Sequence, residues 1–167
     1  MRIILLSDTH SHMDSGILEA CKEADEIWHA GDIGQDSVIQ KLETIAPVRA
    51  VYGNIDDASI RHTFPLNNIF DCKGLKVFMT HIGGYPGRYN ARVKNILKEE
   101  KPGLYICGHS HILKVIPDQS FSLLHMNPGA CGHHGFHKVR TLLRFNVEDA
   151  LVKNLEVVEL GRRGTLK

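Results

Sequence analysis

Side chains of the types that bind metal ions recur along the first two thirds of the sequence. They are two aspartates, four histidines and one asparagine: Asp8, His10, Asp32, Asn54, His81, His109 and His111. Their carboxylate, imidazole and carbonyl atoms form a mixed oxygen and nitrogen set without thiolate, which suits Mn, Fe, Zn, Co or Ni. Seven ligands exceed the needs of one ion, so the set predicts two ions with positions left for water. Asp32 is the expected bridge, because a carboxylate can give one oxygen to each ion.

Each of these positions follows a short apolar run that is typical of a buried strand. The predicted strands cover residues 2–7, 26–30, 48–52, 75–80 and 104–107, and helical patterns cover residues 14–23, 36–45 and 89–101. The intervals between the successive positions 8, 32, 54, 81 and 109 are 24, 22, 27 and 28 residues, each about one strand and one helix. Successive strand ends of an open α/β sheet lie on one edge, so we expect the seven side chains to converge there.

The second half of the chain is predicted to be mostly β. Lys73-Gly74 reads as a hairpin turn between strands at 69–72 and 75–80, and further strands are expected at 112–116, 122–126, 139–147 and 151–160. We find no internal repeat and no break in composition. The predicted fold class is therefore α/β, a ββ sandwich of two mixed sheets flanked by helices, in a single domain over residues 1–167.

The composition of the chain argues against several classes of function. A chain of 167 residues buries a core without help, so any metal is expected to be functional. The 20 Lys and Arg are matched by 19 Asp and Glu, which argues against a broad nucleic-acid surface. No run of about 20 apolar residues and no cleavable signal pattern is present, so we expect a cytoplasmic protein without membrane contact.

The four cysteines are scattered at positions 21, 72, 107 and 131 without a C-x-x-C pair. This distribution favours buried thiols in a reducing compartment over a disulfide framework. Cys131 is the expected exception, because it lies in a glycine-rich segment that also carries His133, His134 and His137. These three histidines leave two interpretations open: an auxiliary metal site, or loop residues at the rim of the site or at a contact within a homo-oligomer.

The motifs around the seven residues resemble the five blocks of the calcineurin-like metallophosphoesterase superfamily in order and spacing. They read Asp8-Thr9-His10, Gly31-Asp32, Gly53-Asn54, Thr80-His81 and Gly108-His109-Ser110-His111. The short chain, with Asn127-Pro128-Gly129 after the last block, looks most like the small bacterial and archaeal phosphodiesterase branch. The remaining strands fit the closing sheet of that family's sandwich.

The resemblance implies two divalent ions, Mn²⁺ first and otherwise Ni²⁺, Fe²⁺, Zn²⁺ or Co²⁺. One ion would be held by Asp8, His10, Asp32 and His111, and the second by Asp32, Asn54, His81 and His109. It also implies hydrolysis of a small phosphodiester by a metal-bridging hydroxide, with Asn54 near the substrate as well. A phosphomonoesterase or nucleotidase would use the same site. A non-catalytic metal-binding scaffold related to the retromer sorting subunit is the alternative from another class, which the complete ligand set disfavours.

The sequence departs from the family pattern at the position of the usual general acid. Many relatives carry a histidine after the asparagine of the third block, where this chain has Ile55. Isoleucine cannot donate a proton to a leaving group, so we expect a preference for activated or aryl phosphodiesters. His12 is a candidate contact to phosphate or leaving group, or else an exposed loop residue. Arg88 could clamp phosphate, or its segment could only cap a helix.

Overall fold

The computed structural model describes residues 1–164 as two five-stranded sheets with four helices. In chain order the elements are β1 Arg2–Leu6, α1 Ser15–Cys21, β2 Glu26–His29, α2 Asp36–Glu43, β3 Val48–Ala50, α3 Ala58–Thr63, β4 Asn67–Cys72, β5 Leu75–Thr80, α4 Ala91–Glu100, β6 Leu104–Ile106, β7 Lys114–Asp118, β8 Leu123–Asn127, β9 Val139–Glu148 and β10 Leu151–Arg162. The predicted fold class, two mixed sheets flanked by helices, is confirmed.

The first sheet has the strand order β10-β9-β1-β2-β3, and its three N-terminal strands pair in parallel. This confirms the predicted βαβαβ unit. The second sheet has the order β4-β5-β6-β8-β7, in which β5, β6 and β8 are parallel. β4 and β5 pair antiparallel up to Cys72 opposite Leu75, so the predicted Lys73-Gly74 hairpin is also confirmed.

Each face of the first sheet is buried, which explains the continuous apolar run of β1. Ile3 and Leu5 belong to the core between the two sheets, whereas Ile4 and Leu6 pack against α1 and α2. Trp28 and Phe145 lie in the core between the sheets. Helix α4 covers the outer face of the second sheet.

Several boundaries differ from the predicted ones for local reasons. α4 begins at Ala91 and not at residue 89, because the Asn90 side chain accepts a hydrogen bond from the Val93 amide and so caps the helix. α1 ends at Cys21, α2 ends at Glu43 and β7 begins at Lys114. The sequence prediction missed α3, whose six residues bury only Ile60 and therefore carry no apolar periodicity.

The cysteines are buried and unpaired, Cys131 included, so the expectation of an exceptional Cys131 thiol is wrong. Its Sγ donates a hydrogen bond to the Ser7 carbonyl at 3.2 Å. Among the described residues, no helix is long and apolar enough to cross a membrane. The prediction of one domain over residues 1–167 extends to residues 165–167, which lie outside the described part of the chain, and it stays a prediction.

Candidate metal centre

The loops that follow β1, β2, β5 and β6 meet at one end of the sandwich. Backbone hydrogen bonds join the first two loops, from the Asp8 amide to the Gly31 carbonyl at 2.9 Å and from the His10 amide to the Asp32 carbonyl at 3.0 Å. Between the sheets, the His109 amide donates to Asp8 Oδ2 at 3.2 Å. Strand ends of both sheets therefore build the site, whereas the sequence argument placed all of it on the edge of a single sheet.

Six of the seven predicted ligands form two groups of three. The groups are Asp8, His10 and His111, and Asp32, His81 and His109, and within each group the ligand atoms all lie within 4.8 Å of one another. Asp32 also faces the first group, since its Oδ2 lies 3.5 Å from His10 Nε2 while its Oδ1 lies 3.2 Å from His81 Nε2. This is the position that a bridging carboxylate requires.

Buried polar atoms at the centre of the site fit divalent cations. Asp8 Oδ1, His10 Nε2 and His81 Nε2 are buried and make no hydrogen bond within residues 1–164. Asp8 Oδ1 nevertheless has His111 Nε2 only 3.0 Å away. Buried polar groups are nearly always hydrogen-bonded, and a bound cation is one way in which converging buried oxygen and nitrogen atoms are satisfied.

The ring of His81, a predicted ligand, is oriented by its other nitrogen. Nδ1 lies 2.8 Å from the Ala30 carbonyl oxygen. A carbonyl can only accept, so Nδ1 carries a proton, and in the neutral ring Nε2 presents its lone pair toward Asp32. This arrangement, in which a backbone carbonyl fixes the tautomer, is typical of histidines that bind metals.

The charges of the site attract a cation. Burial lowers the pKa of His10 despite the nearby carboxylates, so its imidazole is neutral at neutral pH. Burial opposes ionisation of Asp32, but the adjacent His81 ring brings the pKa of that carboxyl below its usual value. The Asp32 and Asp8 carboxylates in turn raise the pKa of His81 against the effect of burial. The groups therefore combine ionised carboxylates with imidazole nitrogens.

The backbone at the site is held in a sparsely populated conformation. Five of the seven predicted ligands have positive φ angles: 55° at Asp8, 46° at His10, 54° at Asp32, 67° at His109 and 57° at His111. Each such residue costs of order 1 to 3 kcal/mol and persists where surrounding contacts hold it, commonly at functional sites. The hydrogen bonds between the loops provide those contacts.

Asp56 supports the loop after β3, and the sequence analysis did not single it out. Its carboxylate accepts hydrogen bonds from the Gly34 and Gly53 amides, both at 2.7 Å. A Cβ on Gly53 would lie 2.0 Å from Asp32 Oδ1, so only glycine permits this approach. The Ile55 amide donates to the same oxygen at 3.1 Å. The available signal was an acidic residue two positions after Asn54.

His29 is a second supporting residue that the sequence analysis missed. Its Nδ1 accepts from the Gly31 amide at 3.2 Å, so Nε2 carries the proton and donates to Thr9 Oγ1 at 2.9 Å. The Thr9 hydroxyl in turn donates a hydrogen bond to the Ile33 carbonyl at 2.9 Å. Burial lowers the pKa of His29 and keeps it neutral. The signal was a histidine three residues before Asp32, at the end of β2.

A cavity of about 580 Å³ opens over the two groups. Its wall consists of His10, Asp32, Asn54, Ile55, His109, Ser110, His111, Ile112, His134, Gly135, Phe136 and His137. Asn54, the seventh predicted ligand, therefore lines the same cavity as His10, Asp32, His109 and His111. A second cavity of about 630 Å³ lies beside α4, but lysines and Phe121 line it and no histidine does.

The segment 131–138 forms one wall of the first cavity. The ring centroid of His134 lies 4.5 Å from that of His10, and the centroid of His137 lies 5.3 Å from that of His111. His133 instead contacts the ring of His12. Of the predicted substrate contacts, Asn54 lines the cavity, whereas His12 and the exposed Arg88 do not. Their roles toward a substrate stay predictions.

Comparison with known proteins agrees with this geometry. Residues 1–150 match the family model described as the calcineurin-like phosphoesterase superfamily domain. The chain belongs to this superfamily. A probable metallophosphoesterase of Methanothermobacter thermautotrophicus is 29% identical over 140 residues, covering 78% of this chain and 77% of that protein. The predicted family is thus confirmed, and phosphoesterases of this superfamily use divalent metal ions.

Solved structures of two kinds share the fold. An archaeal phosphodiesterase superposes with a TM-score of 0.70 at 22% identity and covers 95% of this chain and 99% of its own. Vps29 of Entamoeba histolytica, solved with zinc, superposes with a TM-score of 0.71 at 16% identity and covers 96% of this chain and all of its own, 100%. At these identities the similarity concerns the fold, which an enzyme and a protein named for vacuolar sorting have in common.

Proposed function

We propose that this phosphoesterase is a binuclear metal-dependent phosphodiesterase that hydrolyses small phosphodiesters. The observation that carries the proposal is the position of Asp32, whose two oxygens face histidines of different groups at 3.5 Å and 3.2 Å. Asp8, His10, Asp32 and His111 would hold one divalent ion, and Asp32, Asn54, His81 and His109 the other. Two such ions supply a nucleophile from water near neutral pH and neutralise the phosphate oxygens.

The cavity wall supports a diester with an apolar substituent. Three of its residues are large apolar side chains exposed to solvent: Ile55, Ile112 and Phe136, the last fully exposed. No Lys or Arg occurs among the cavity-lining residues of the described chain. A diester carries one negative charge and a monoester up to two, so a wall without cationic side chains suits the diester. The cavity volume falls within the roughly 300 to 1,000 Å³ of small-molecule sites.

The chain's own residues position the reaction. Asp56 and His29 hold the loops that carry the ligands. Asn54, at the cavity surface, has an amide that can donate to a phosphate oxygen. Ile55 occupies the position of the usual proton donor and offers apolar contact instead, which favours leaving groups that depart without protonation. Aryl oxides are such groups, so we propose aryl diesters as the best substrates.

The deciding experiment measures turnover of a chromogenic bis-aryl phosphate with added Mn²⁺. We expect hydrolysis by the wild-type protein and a loss of at least about 100-fold in Asp32→Asn, because the amide cannot bridge two ions. Asp36→Asn is a matched control, since Asp36 is an exposed acid in the first turn of α2. An aryl monoester and a nucleoside monophosphate complete the substrate panel.

The panel separates the alternatives. Faster turnover of monoesters than of diesters would replace the proposal by a phosphomonoesterase or nucleotidase. Protein that binds two metal ions per chain and turns over no ester would point to a metal-binding scaffold. Metal analysis of untreated protein tests whether manganese is the native ion. A predominance of zinc, iron, nickel or cobalt would reject manganese.

A further inference from the structure

A third group of potential ligands lies outside the two groups of the candidate centre. His12, Asp14 and His133 present ligand atoms that all lie within 4.8 Å of one another. His12 and Asp14 precede α1, whereas His133 belongs to the segment 131–138, so the group joins two distant parts of the chain. The three side chains are half-buried, so each is partly accessible to solvent.

The ligand atoms of the group lie within 4.8 Å of one another, which is near the spacing of ligands around one ion. His12 Nε2 lies 3.1 Å from Asp14 Oδ2, and the ring centroids of His12 and His133 lie 4.2 Å apart in an edge-to-face contact. Zinc binds nitrogen and carboxylate oxygen at about 2.0 to 2.2 Å, so two ligand atoms on one tetrahedral ion lie about 3.3 to 3.5 Å apart. Small side-chain movements therefore suffice to complete the site.

Arg140 determines which ions fit. Its guanidinium donates to Asp14 Oδ2 at 2.9 Å and is itself buried. Burial opposes ionisation of Asp14, but the bond from Arg140 and the Ile17 amide keep the pKa of that carboxyl well below its usual value. The same guanidinium weakens binding of a cation through the carboxylate alone. The two imidazoles must then supply most of the affinity, which favours Zn²⁺, Ni²⁺ or Cu²⁺ over Mg²⁺ or Ca²⁺.

Two existing hydrogen bonds would be replaced when an ion binds. The hydrogen bond between His12 Nε2 and Asp14 Oδ2 would be lost, because both atoms would bind the ion instead. The bond from the exposed Gly164 amide to His133 Nδ1, at 3.3 Å, would be lost. Burial, together with the charge of Arg140, lowers the pKa of His133, so that ring is neutral and able to bind metal at neutral pH.

We propose that His12, Asp14 and His133 form a third metal site, selective for ions that prefer imidazole, such as Zn²⁺. The site would tie the segment 131–138 to the loop before α1. The same segment places the His134 ring against His10 and lines the cavity with Phe136 and His137. An ion at this site would therefore hold one wall of the cavity without touching the substrate.

Zinc stoichiometry of the full chain tests the site. Protein stripped with a chelator is dialysed to equilibrium against buffered Zn²⁺, and bound zinc per chain is measured by mass spectrometry of the element. We expect His12→Ala and His133→Ala each to bind one ion fewer than the wild type. His62→Ala, which removes an exposed histidine of α3, is expected to bind as many ions as the wild type. The difference does not depend on how many ions the other two groups hold.

The outcomes are separable. Loss of one ion in both variants, with Mg²⁺ unable to compete, supports the site. Unchanged stoichiometry in either variant, or equal loss in His62→Ala, overturns it. Circular dichroism and thermal melting check that each variant folds. If His133→Ala does not fold, His133→Asn, which keeps a polar side chain in the segment, is used in its place.

Discussion

Gly135 packs so closely against the imidazole ring of His111 that a side chain at position 135 would displace the ring. A Cβ at position 135 would lie 2.1 Å from His111 Nδ1, and the φ angle of Gly135 is +113°, a conformation that disfavours side chains. His111 Nε2 lies 3.0 Å from Asp8 Oδ1 on its other side. The segment 131–138 thus sets the position of a proposed metal ligand that lies more than twenty residues earlier in the chain.

Gly135→Ala is therefore expected to weaken metal binding at the group of Asp8, His10 and His111. Displacing a ligand through its supporting contact lowers metal affinity by about 10- to 100-fold. Competition with a chromophoric chelator measures the affinity. Gly161→Ala is the matched control, because Gly161 also has a positive φ of +97° but nothing within 4 Å of its Cβ position. Equal affinities in the two variants would contradict the positioning role of Gly135.

Ile55→His is expected to restore a proton donor at the cavity wall. Ile55 is 43% exposed and its side chain lines the cavity, so a histidine there can reach a leaving group. General acid catalysis contributes about 10²- to 10⁴-fold, and we expect a gain of at least about 10-fold on an alkyl diester relative to an aryl diester. Steady-state kinetics on both esters give the ratio. Ile112→His, at another exposed isoleucine of the wall, controls for the added polarity, and a ratio no larger than that of Ile112→His would refute the explanation.

Asp56→Asn is expected to destabilise the fold near the site. The buried carboxylate accepts two amide hydrogen bonds at 2.7 Å, and the NH₂ group of asparagine would face one of those donors. Loss of a hydrogen bond to a charged group costs about 2 kcal/mol, or a fall of about 6 °C in Tm for a chain of this size. Asp57→Asn is the control, because Asp57 caps α3 and asparagine caps equally well. If the melting curves of the two variants coincide, Asp56 does not stabilise the fold as proposed.

Stability is expected to fall on acidification because of His125. Burial lowers the pKa of this histidine to about 4, below its value of about 6.5 in the unfolded chain. The unfolded state therefore takes up the proton first, and stability is lost as pH falls from 6.5 towards 4, by about 3 kcal/mol in total. The ring stacks on Tyr105, so His125→Phe preserves that contact and removes the titration.

Urea denaturation of the wild type and His125→Phe at pH 7, 6, 5 and 4, in the presence of a chelator, measures this contribution. As pH falls, we expect the free energy of unfolding of the wild type to decrease relative to that of His125→Phe. Parallel pH profiles would show that His125 does not contribute. The chelator removes the separate effect of protons competing with metal ions for histidine ligands.

The order and spacing of the predicted ligands could be recognised without the structure, because they depend on local sequence patterns. Buried parallel strands appear as continuous apolar runs, and the predicted ligands Asp8 and Asp32 follow shortly after them. Those features led to the superfamily and to the sandwich fold, both of which are confirmed. Short elements were harder, since the six residues of α3 bury only Ile60 and carry no periodicity.

Contacts between segments distant in sequence were decided only by the tertiary structure. The sequence placed the site on the edge of one sheet, yet His109 donates to Asp8 from the other sheet. The sequence also did not show that His12 packs against His133, 121 residues away along the chain. No periodicity encodes how one loop docks on another, because docking depends on how both sheets pack against their common core. The sequence therefore specified which residues have the chemistry of a metal site, and the packing of the two sheets decided which of them meet.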